Sequence, residues 1–465
     1  MGPVGWMAVV SLLASSPLFA AEHTFTVSDT ALSTAPAVSS LLYGMNVARW
    51  DRQLYPTTGT ESLANYDKDA VSKLKTLMPG FLKYPGGNDA DSYLWNSPEN
   101  DPDDMDTNEF LHMAAQCKST GFITVNFSKP PELAASWLQY IKSASGTTAV
   151  PYWEVGDEIW GSWSKSHVPG EEYGRRFRAF SQALKAVDPN VKCAANLSLG
   201  NPDTAWTREA LSTLGDSFDM VTMTYFPQNS GKESDAALFK SPNQFRRNFR
   251  KLDAYVAQQL PNRPRPLYCL VGFNSVDTHP GPQTVQMSNA IFMAQMFGAM
   301  AEVGCQMSCW WAYHNEWKPR GGDYGVVTST PQNTPYFTWY VMRALSQNFK
   351  GTLLAAEQTN DLEFYAMKQD SGQLTLVLIN KSGTASQRIL VQAQSGTSTW
   401  APLLDGGTSE LITSATMASS STVPPAEYVG RPVSPDEPIP SVPRLANYRN
   451  IPPYSVTISV LAVKK

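Results

Sequence analysis

The sequence is poor in several kinds of residue. Only 5 of its 465 residues are cysteine and 5 are histidine, so neither a disulfide scaffold nor a histidine-rich metal site is indicated. Charged residues make up 17%, and 36 basic against 41 acidic side chains leave a formal net charge of -5. This balance provides no electrostatic footprint for nucleic acid or for an anionic membrane. After the first twenty residues, no apolar run approaches the ~20 residues that cross a bilayer.

The cysteines show no CxxC spacing, and their odd number leaves at least one free thiol. Cys305 and Cys309 are four residues apart, and one disulfide bridge stays open as an alternative. The favoured interpretation is that all five are small buried hydrophobic side chains. HExxH, P-loop and GxSxG motifs are absent from the sequence. We therefore expect no metal and no cofactor.

The N-terminus is typical of a secretory signal. An apolar stretch over residues 6–13 is followed by a Ser-Ser-Pro break and then by Phe19, Ala20 and Ala21. This pattern predicts a signal peptide over residues 1–21 and a secreted or periplasmic mature protein that is not in a membrane. No lysine or arginine precedes Arg49, which is unusual for a signal. The alternative is a buried N-terminal helix.

Between residues 39 and 348, short apolar runs alternate with longer amphipathic segments. This alternation predicts strands alternating with helices. Eight such units in about 300 residues are typical of a (β/α)₈ TIM barrel. The eight candidate strands are residues 41–47, 80–87, 121–128, 150–158, 191–198, 218–227, 265–275 and 305–315. The fold class is therefore α/β.

From about Gly351 the pattern changes to alternation with period two. Predicted strands at 361–369, 373–382, 386–392 and 454–463 indicate a C-terminal antiparallel β-sandwich over residues 349–465. Residues 22–38, ahead of the barrel, are expected to add an N-terminal strand to it. A segment rich in proline, serine and valine over residues 419–453 is predicted to be a long loop on the sandwich surface.

The carboxyl ends of the predicted barrel strands are rich in amide, carboxylate and aromatic side chains. Reactive groups of TIM barrels lie at this end. Aromatic rings beside polar groups suit a sugar, which has apolar CH faces and hydroxyl edges. The candidate carbohydrate contacts are Asn46, Asp89, Asp91, Asn126, Trp153, Trp160, Tyr225, Asn274, Trp310, Trp311 and His314. The alternative is that many of the rings fill the barrel and that His314 is a hydrogen-bonded structural residue.

Short segments spread in order along the chain resemble the α-L-arabinofuranosidases of the large retaining glycosidase clan. They are KYPGG at 83–87, TVN at 124–126, WEVGDEIWG at 153–161, VGFNS at 271–275, WAYHN at 311–315 and PPYSV at 452–456. The resemblance implies a barrel with a sandwich and a mechanism with two carboxylates. It places the acid/base residue at Glu158, at the end of the fourth strand, and a nucleophile at the end of the seventh.

The sequence departs from the family pattern at the nucleophile, where Gly272 stands in place of glutamate. Asp157 replaces the asparagine that binds the sugar 2-hydroxyl, Thr224 replaces a histidine and Phe226 replaces a tyrosine. Lys83 stands where relatives often have arginine, and is expected to support its loop or to pair with a site carboxylate. Four departures around one position favour natural divergence over an engineered change.

These residues support a hypothesis of a secreted glycoside hydrolase acting on plant- or algal-type glycans. Glu158 is the expected general acid, and the reaction is expected to invert the anomeric centre with Asp157, Asp89 or Asp91 as base. Asp157 and Glu158 could instead couple, so that one of them keeps a proton near neutral pH. Two alternatives remain open: a non-catalytic carbohydrate-binding protein, and an engineered nucleophile knockout of an arabinofuranosidase-like enzyme. The sequence leaves the oligomeric state open.

Overall fold

The computed structural model describes residues 22–28, 30–32, 36–55, 63, 65–329, 333–393, 408–413 and 448–461. The predicted signal peptide lies outside these residues, as does most of the predicted loop over 419–453. Residues 448–451 of that loop form a strand instead. Within the described ranges, no helix combines the length and apolar character needed to span a membrane.

The strands are β1 (Glu22–Val27), β2 (Gly44–Asn46), β3 (Phe81–Tyr84), β4 (Thr120–Val125), β5 (Tyr152–Val155), β6 (Lys192–Asn196), β7 (Met220–Tyr225), β8 (Leu267–Phe273), β9 (Met307–Trp310), β10 (Glu316–Trp317), β11 (Gly322–Asp323), β12 (Thr352–Gln358), β13 (Leu362–Lys368), β14 (Leu374–Asn380), β15 (Gln387–Ala393), β16 (Thr408–Thr413), β17 (Tyr448–Ile451) and β18 (Ser455–Leu461). The helices are α1 (Lys68–Thr76), α2 (Thr107–Cys117), α3 (Pro131–Ser145), α4 (Gly170–Val187), α5 (Ala205–Leu214), α6 (Asp235–Leu238), α7 (Ser241–Gln259), α8 (Met287–Val303) and α9 (Phe337–Asn348). Short 3₁₀ helices cover Ser40–Tyr43, Gly87–Asp91, Thr147–Ala149, Pro282–Val285 and Lys318–Arg320.

Strands β2 to β9 form a closed barrel in sequential order, and each pairs with its neighbours in parallel. All eight candidate strands of the sequence are found there, so the predicted TIM barrel is confirmed. Three helices, α1, α2 and α5, start at a side-chain cap. At α2, Asp106 Oδ1 accepts from the Glu109 backbone N at 2.8 Å, and Glu109 Oε2 accepts from the Asp106 backbone N at 2.9 Å.

The C-terminal strands form two sheets that share one cluster of buried side chains. The larger sheet is antiparallel, in the order β12-β13-β14-β18-β16. The smaller sheet has the order β1-β15-β17, and Phe25 from β1 stacks on Phe364 of the larger sheet with ring centroids 4.7 Å apart. Since β1 runs parallel to β15, this sheet is mixed, which corrects the expectation of an antiparallel arrangement throughout. The predicted domain boundaries stay predictions.

Helix α8 lies between the barrel and the larger sheet. Almost all its side chains are buried, as expected for a helix that is apolar on every face. Gly298 allows the contact, because a Cβ at this position would lie 2.2 Å from Cζ of Tyr365 on β13. The helix therefore packs the barrel closely against the larger sheet.

Candidate active site

Glu158 lies just after β5, the fourth strand of the barrel. Gly156 and Glu158 have positive φ angles of 77° and 50°, so the chain leaves the strand in a turn that non-glycine residues rarely adopt. The half-buried carboxylate of Glu158 accepts hydrogen bonds from two side chains. The Thr224 hydroxyl donates to Oε1, and Trp163 Nε1 donates to Oε2 at 3.2 Å. Its carboxylate is therefore held in one orientation.

Gly272 lies near the end of β8, the seventh strand of the barrel. It pairs in register with Thr224 of β7, after an irregularity that shifts the register between Met223 and Thr224. A Cβ built on Gly272 would lie 3.6 Å from Thr224 Cγ2 and 3.8 Å from Phe226 Cζ, which are ordinary contact distances. The position therefore has room for a side chain. Thr224 touches both Gly272 and Glu158, so the two expected catalytic positions share one neighbour at the same end of the barrel.

A buried group of charges lies at the base of this site. Lys83 Nζ is 3.2 Å from Glu154 Oε2 and 3.8 Å from Asp157 Oδ1. Glu154 also accepts from Thr124 Oγ1 at 2.7 Å and from Asn196 Nδ2 at 3.1 Å. Burial lowers the pKa of Lys83, but the two carboxylates outweigh it and the net shift is upward. Lys83 is therefore a cation, and of its two expected roles the structure shows pairing with carboxylates.

Asp157 is buried next to Lys83. Burial raises its pKa well above the ordinary range, Lys83 opposes this shift, and the carboxylates of Glu154 and Glu158 add to it. The side chain therefore keeps its proton to higher pH than an exposed aspartate does. A protonated carboxyl can donate a hydrogen bond, as the amide of the asparagine in relatives does. This state suits a hydrogen-bond donor to a sugar better than it suits a catalytic base.

Asp157→Asn tests this protonation state. In the unfolded chain an aspartate titrates near pH 4, whereas folded Asp157 keeps its proton to higher pH, so wild-type stability falls as pH rises above about 4. Asparagine does not titrate. We expect the stability of the variant relative to wild type to increase with pH, by at most about 1.4 kcal/mol per unit. Urea unfolding at pH 5 and pH 7 measures this, with Asp370→Asn at an exposed position as control; a difference that is the same at both pH values would contradict the assignment.

Asp89 and Asp91 both lie in the 3₁₀ helix that follows β3, but their carboxylates have different partners. The carboxylate of Asp89 forms an ion pair with Arg49, which also pairs with Asp104. Asp91 Oδ1 instead accepts from the backbone N of Phe127 at 3.4 Å. Burial raises the pKa of Asp91 to about 7, although hydrogen bonds from the backbone of Phe127 and Asp157 lower it. Asp91 is thus within hydrogen-bonding distance of the residue that precedes Glu158.

The three asparagines predicted to bind sugar are buried, and their amides are used within the protein. Asn46 Nδ2 donates to the carbonyl oxygens of Val271 and Trp310, both at 3.0 Å. Asn126 Nδ2 donates to the Tyr93 carbonyl oxygen at 3.1 Å. The remaining residue, Asn274, has its Nδ2 2.7 Å from the carbonyl oxygen of Trp311 and its Oδ1 3.0 Å from Nδ2 of Asn289. These residues tie strand ends and loops together, and this placement does not support direct sugar contacts.

Three other predicted contacts also lie in the interior. Trp153 is buried, and its Nε1 donates to the Val150 carbonyl oxygen at 2.9 Å. Trp310 is buried against Phe273, with ring centroids 4.9 Å apart. His314 lies 3.0 Å from Asp51 through Nδ1 and 2.9 Å from the Asn333 side chain through Nε2. Trp153 and Trp310 therefore fill the interior, and His314 is a hydrogen-bonded structural residue, as the alternative interpretation expects.

The partly exposed aromatic side chains among the predicted contacts are Trp160, Trp311 and Tyr225. Trp311 packs near Gly87, where a Cβ would lie 3.0 Å from its ring, and near the exposed ring of Trp50. The Tyr225 hydroxyl donates to the Ser241 carbonyl oxygen at 2.6 Å, which turns this side chain toward α7. Trp160 and Trp311 follow β5 and β9, so both lie at the carboxyl end of the barrel, as Glu158 and Gly272 do.

Sequence reasoning missed Trp163, which hydrogen-bonds to Glu158. The signal was the string Trp160-Gly-Ser-Trp163, which begins two residues after Glu158. Gly161 allows the ring to fold back, since a Cβ there would lie 2.5 Å from Trp163 Cε2. A glycine between two tryptophans was the available indication that one ring turns back toward the strand end.

The described residues contain no group of three or more His, Cys, Asp or Glu side chains arranged to hold a metal ion. All five cysteines are buried with free thiols. The interpretation as small buried side chains is therefore confirmed, and the alternative of a disulfide bridge between Cys305 and Cys309 is not found. The chemistry of the site rests on carboxylates, a lysine, hydroxyl groups and aromatic rings.

No protein-family model matches the chain. A probable α-L-arabinofuranosidase C of Aspergillus fumigatus is 25% identical over 158 residues, which cover 27% of this chain and 31% of that protein. An intracellular exo-α-(1→5)-L-arabinofuranosidase of Acetivibrio thermocellus is 23% identical over 239 residues, covering 43% of this chain and 48% of that protein. The chain is similar to α-L-arabinofuranosidases. It spans about a third to a half of the length of these two relatives.

A solved structure extends this similarity along nearly the whole chain. A family 51 α-L-arabinofuranosidase from Bifidobacterium longum superposes with a TM-score of 0.73, covering 94% of this chain and 99% of that one. Its sequence identity is 14%, so the comparison shows a shared fold. Together with the curated relatives, it confirms the resemblance that the short motifs indicated.

Proposed function

We propose that the protein is a glycoside hydrolase that cleaves glycosidic bonds of plant- or algal-type oligosaccharides or polysaccharides, with Glu158 as general acid. The observation that carries this proposal is the contact chain from Glu158 through Thr224 to Gly272 at the carboxyl end of the barrel. This is where TIM-barrel enzymes have their reactive groups. The similarity to arabinofuranosidases favours a glycan with arabinofuranosyl units.

Gly272 supports direct attack by water. A glycine cannot form a glycosyl ester, and the space beside Thr224 and Phe226 has ordinary contact distances for one added carbon. In the proposed step, Glu158 donates its proton to the glycosidic oxygen while a base takes a proton from water. The water oxygen bonds to the anomeric carbon, the glycosidic C–O bond breaks, and the leaving sugar departs with a free hydroxyl. The product has the inverted configuration.

Asp91 is the base that the described contacts favour among the three candidates. The carboxylate of Asp89 is already paired with the guanidinium group of Arg49. Burial favours the protonated form of Asp157, so it is a poor acceptor. The pKa of Asp91 is raised to about 7, mainly by burial, and a base is most effective when its pKa lies near the working pH. In this proposal Asp157 donates a hydrogen bond to the sugar 2-hydroxyl.

We also propose that the protein is exported to the periplasm or secreted, on the evidence of its N-terminal sequence alone. Export fits a polymeric substrate outside the cell. Immunodetection of the tagged full-length chain in cell fractions tests this, and retention of uncleaved protein in the cytoplasm would contradict it.

The alternative function is binding of carbohydrate without cleavage. Gly272 favours it, because the position at which relatives have the nucleophile lacks a carboxylate. A screen of the purified protein against plant and algal polysaccharides, with products sized by chromatography, separates the two functions. New reducing ends with shorter chains support hydrolysis, whereas retention of the polysaccharide without cleavage supports the alternative.

Asp91→Asn tests the assigned base. Because Asp91 must be deprotonated to accept a proton from water, we expect wild-type kcat/KM to fall as pH drops below about 7. The variant should lose activity on the order of 10²-fold and lose this acidic limb. Asp89→Asn is the matched control in the same turn and should keep the limb. A pH–rate profile of Asp91→Asn with the wild-type acidic limb would contradict the assignment.

A further inference from the structure

Trp163 combines exposure with contact to the proposed acid. Its side chain is 60% exposed, the highest value among the large hydrophobic side chains in the described ranges. The indole N–H nevertheless points into the site and donates to Glu158 Oε2 at 3.2 Å. Tryptophan is well suited to contacts that are apolar on one side and polar on the other.

The ring of Trp163 is held in place before any ligand binds. Trp160 packs edge-to-face against it, with ring centroids 4.9 Å apart and an interplanar angle of 87°. Gly161 lets the ring fold over the backbone, and the backbone N of Gly161 donates to the Glu158 carbonyl oxygen at 2.8 Å. A surface fixed in this way loses little conformational entropy on binding.

We propose that Trp163 is the platform for the sugar on the leaving-group side of the scissile bond. This inference rests on the proposed function. Glu158 must touch the glycosidic oxygen to protonate it, and this oxygen belongs to the leaving sugar. Since the indole N–H is bonded to the same carboxylate, the ring lies beside that sugar. The CH face of a pyranose or furanose ring then packs on the exposed indole.

Aromatic side chains on the other side of the barrel extend the binding surface. In a closed barrel of eight strands in sequential order, β9 is diametrically opposite β5. Trp311 follows β9 directly and packs against Trp50, which is 37% exposed, with ring centroids 6.3 Å apart. Aromatic side chains therefore follow strands on opposite sides of the carboxyl end of the barrel. A ligand that contacts aromatic rings on both sides is a chain of at least two sugars, rather than a glycoside with a small leaving group.

The experiment compares two substrates of the protein with the same glycosyl unit. One substrate is an oligosaccharide from the panel polysaccharide that the wild type cleaves fastest. The other is the glycosyl fluoride of the terminal sugar of that oligosaccharide, in which fluoride takes the place of the leaving sugar. We expect Trp163→Ala to lower kcat/KM for the oligosaccharide about 10-fold, chiefly through KM, and to change the fluoride reaction less than about 2-fold. Trp163→Phe keeps a ring and should recover most of the loss. Met78→Ala, an exposed apolar position, is the control.

Failure of this inference and failure of the proposed function give different results. Equal effects of Trp163→Ala on both substrates, or none on either, would overturn the platform while hydrolysis stands. If the wild type cleaves nothing, calorimetric titration with the panel oligosaccharides decides. A 10-fold loss of affinity in Trp163→Ala would then show that Trp163 contacts the sugar, but without a scissile bond it would overturn the leaving-group assignment together with the hydrolase. Unchanged affinity, or no binding by the wild type, would overturn both.

Discussion

Glu158→Gln is expected to lower kcat on oligosaccharides by about 10²–10⁴-fold, the usual contribution of a general acid. The amide has nearly the same shape as the carboxyl group but has no acidic proton to give to the glycosidic oxygen. Its oxygen can still accept the hydrogen bond from Trp163 that the wild-type carboxylate accepts. Initial rates of oligosaccharide cleavage, with carbohydrate affinity measured in parallel, provide the test.

A substrate that needs no acid is the control for this variant. Hydrolysis of a 2,4-dinitrophenyl glycoside releases 2,4-dinitrophenolate, which is a stable anion and needs no proton from an acid. Glu158→Gln should therefore slow this reaction by less than about 10-fold. Equal losses on both substrates would indicate a damaged site. Wild-type rates on oligosaccharides would contradict the role of Glu158, and unchanged binding in a protein that never cleaves would favour the non-catalytic alternative.

Lys83→Met is expected to destabilise the protein by about 3–5 kcal/mol, because it leaves buried carboxylates without their cation. Lys83 and Glu154 are 1% and 0% exposed, and their charged atoms are 3.2 Å apart. Methionine fills a similar volume, so the loss is mainly electrostatic. Urea unfolding followed by fluorescence measures the effect. The shift should be smaller in a double variant that also carries Glu154→Gln, since one unpaired charge is then removed.

The matched control is Lys73→Met in α1, where the lysine side chain is 15% exposed. Lys73 pairs with Asp69, whose side chain is 57% exposed, at a spacing of four residues. Pairs of this kind contribute about 0.3–0.5 kcal/mol. If Lys83→Met were as mild as Lys73→Met, the stabilising role of the buried charge group would be contradicted.

The barrel could be predicted from the sequence because parallel strands are buried on both faces and read as short apolar runs with polar ends. β2 to β9 all follow this pattern. β12 was missed, since its Leu-Leu-Ala-Ala core lacks alternation and its pairing with β13 is irregular between Leu353 and Ala355. A rule based on periodicity does not recognise such a strand.

The site was predictable in part. Motif order placed Glu158 and Gly272 at ends of the fourth and seventh strands, where the structure has them, but whether they catalyse is still a prediction. The sequence did not reveal which way each strand-end side chain turns, so Trp153 and Trp310 looked like candidate contacts although they are buried. Trp163 was missed because neither periodicity nor motif order reveals that its ring folds back toward Glu158.

The configuration of the first product tests the central claim most directly. Proton NMR of a cleavage reaction, recorded before mutarotation equilibrates the sugar, identifies the anomer released. Direct attack by water at a site with Gly272 in the nucleophile position predicts that the initial product has the inverted configuration. A product of retained configuration would require a covalent intermediate on some other group and would contradict the account.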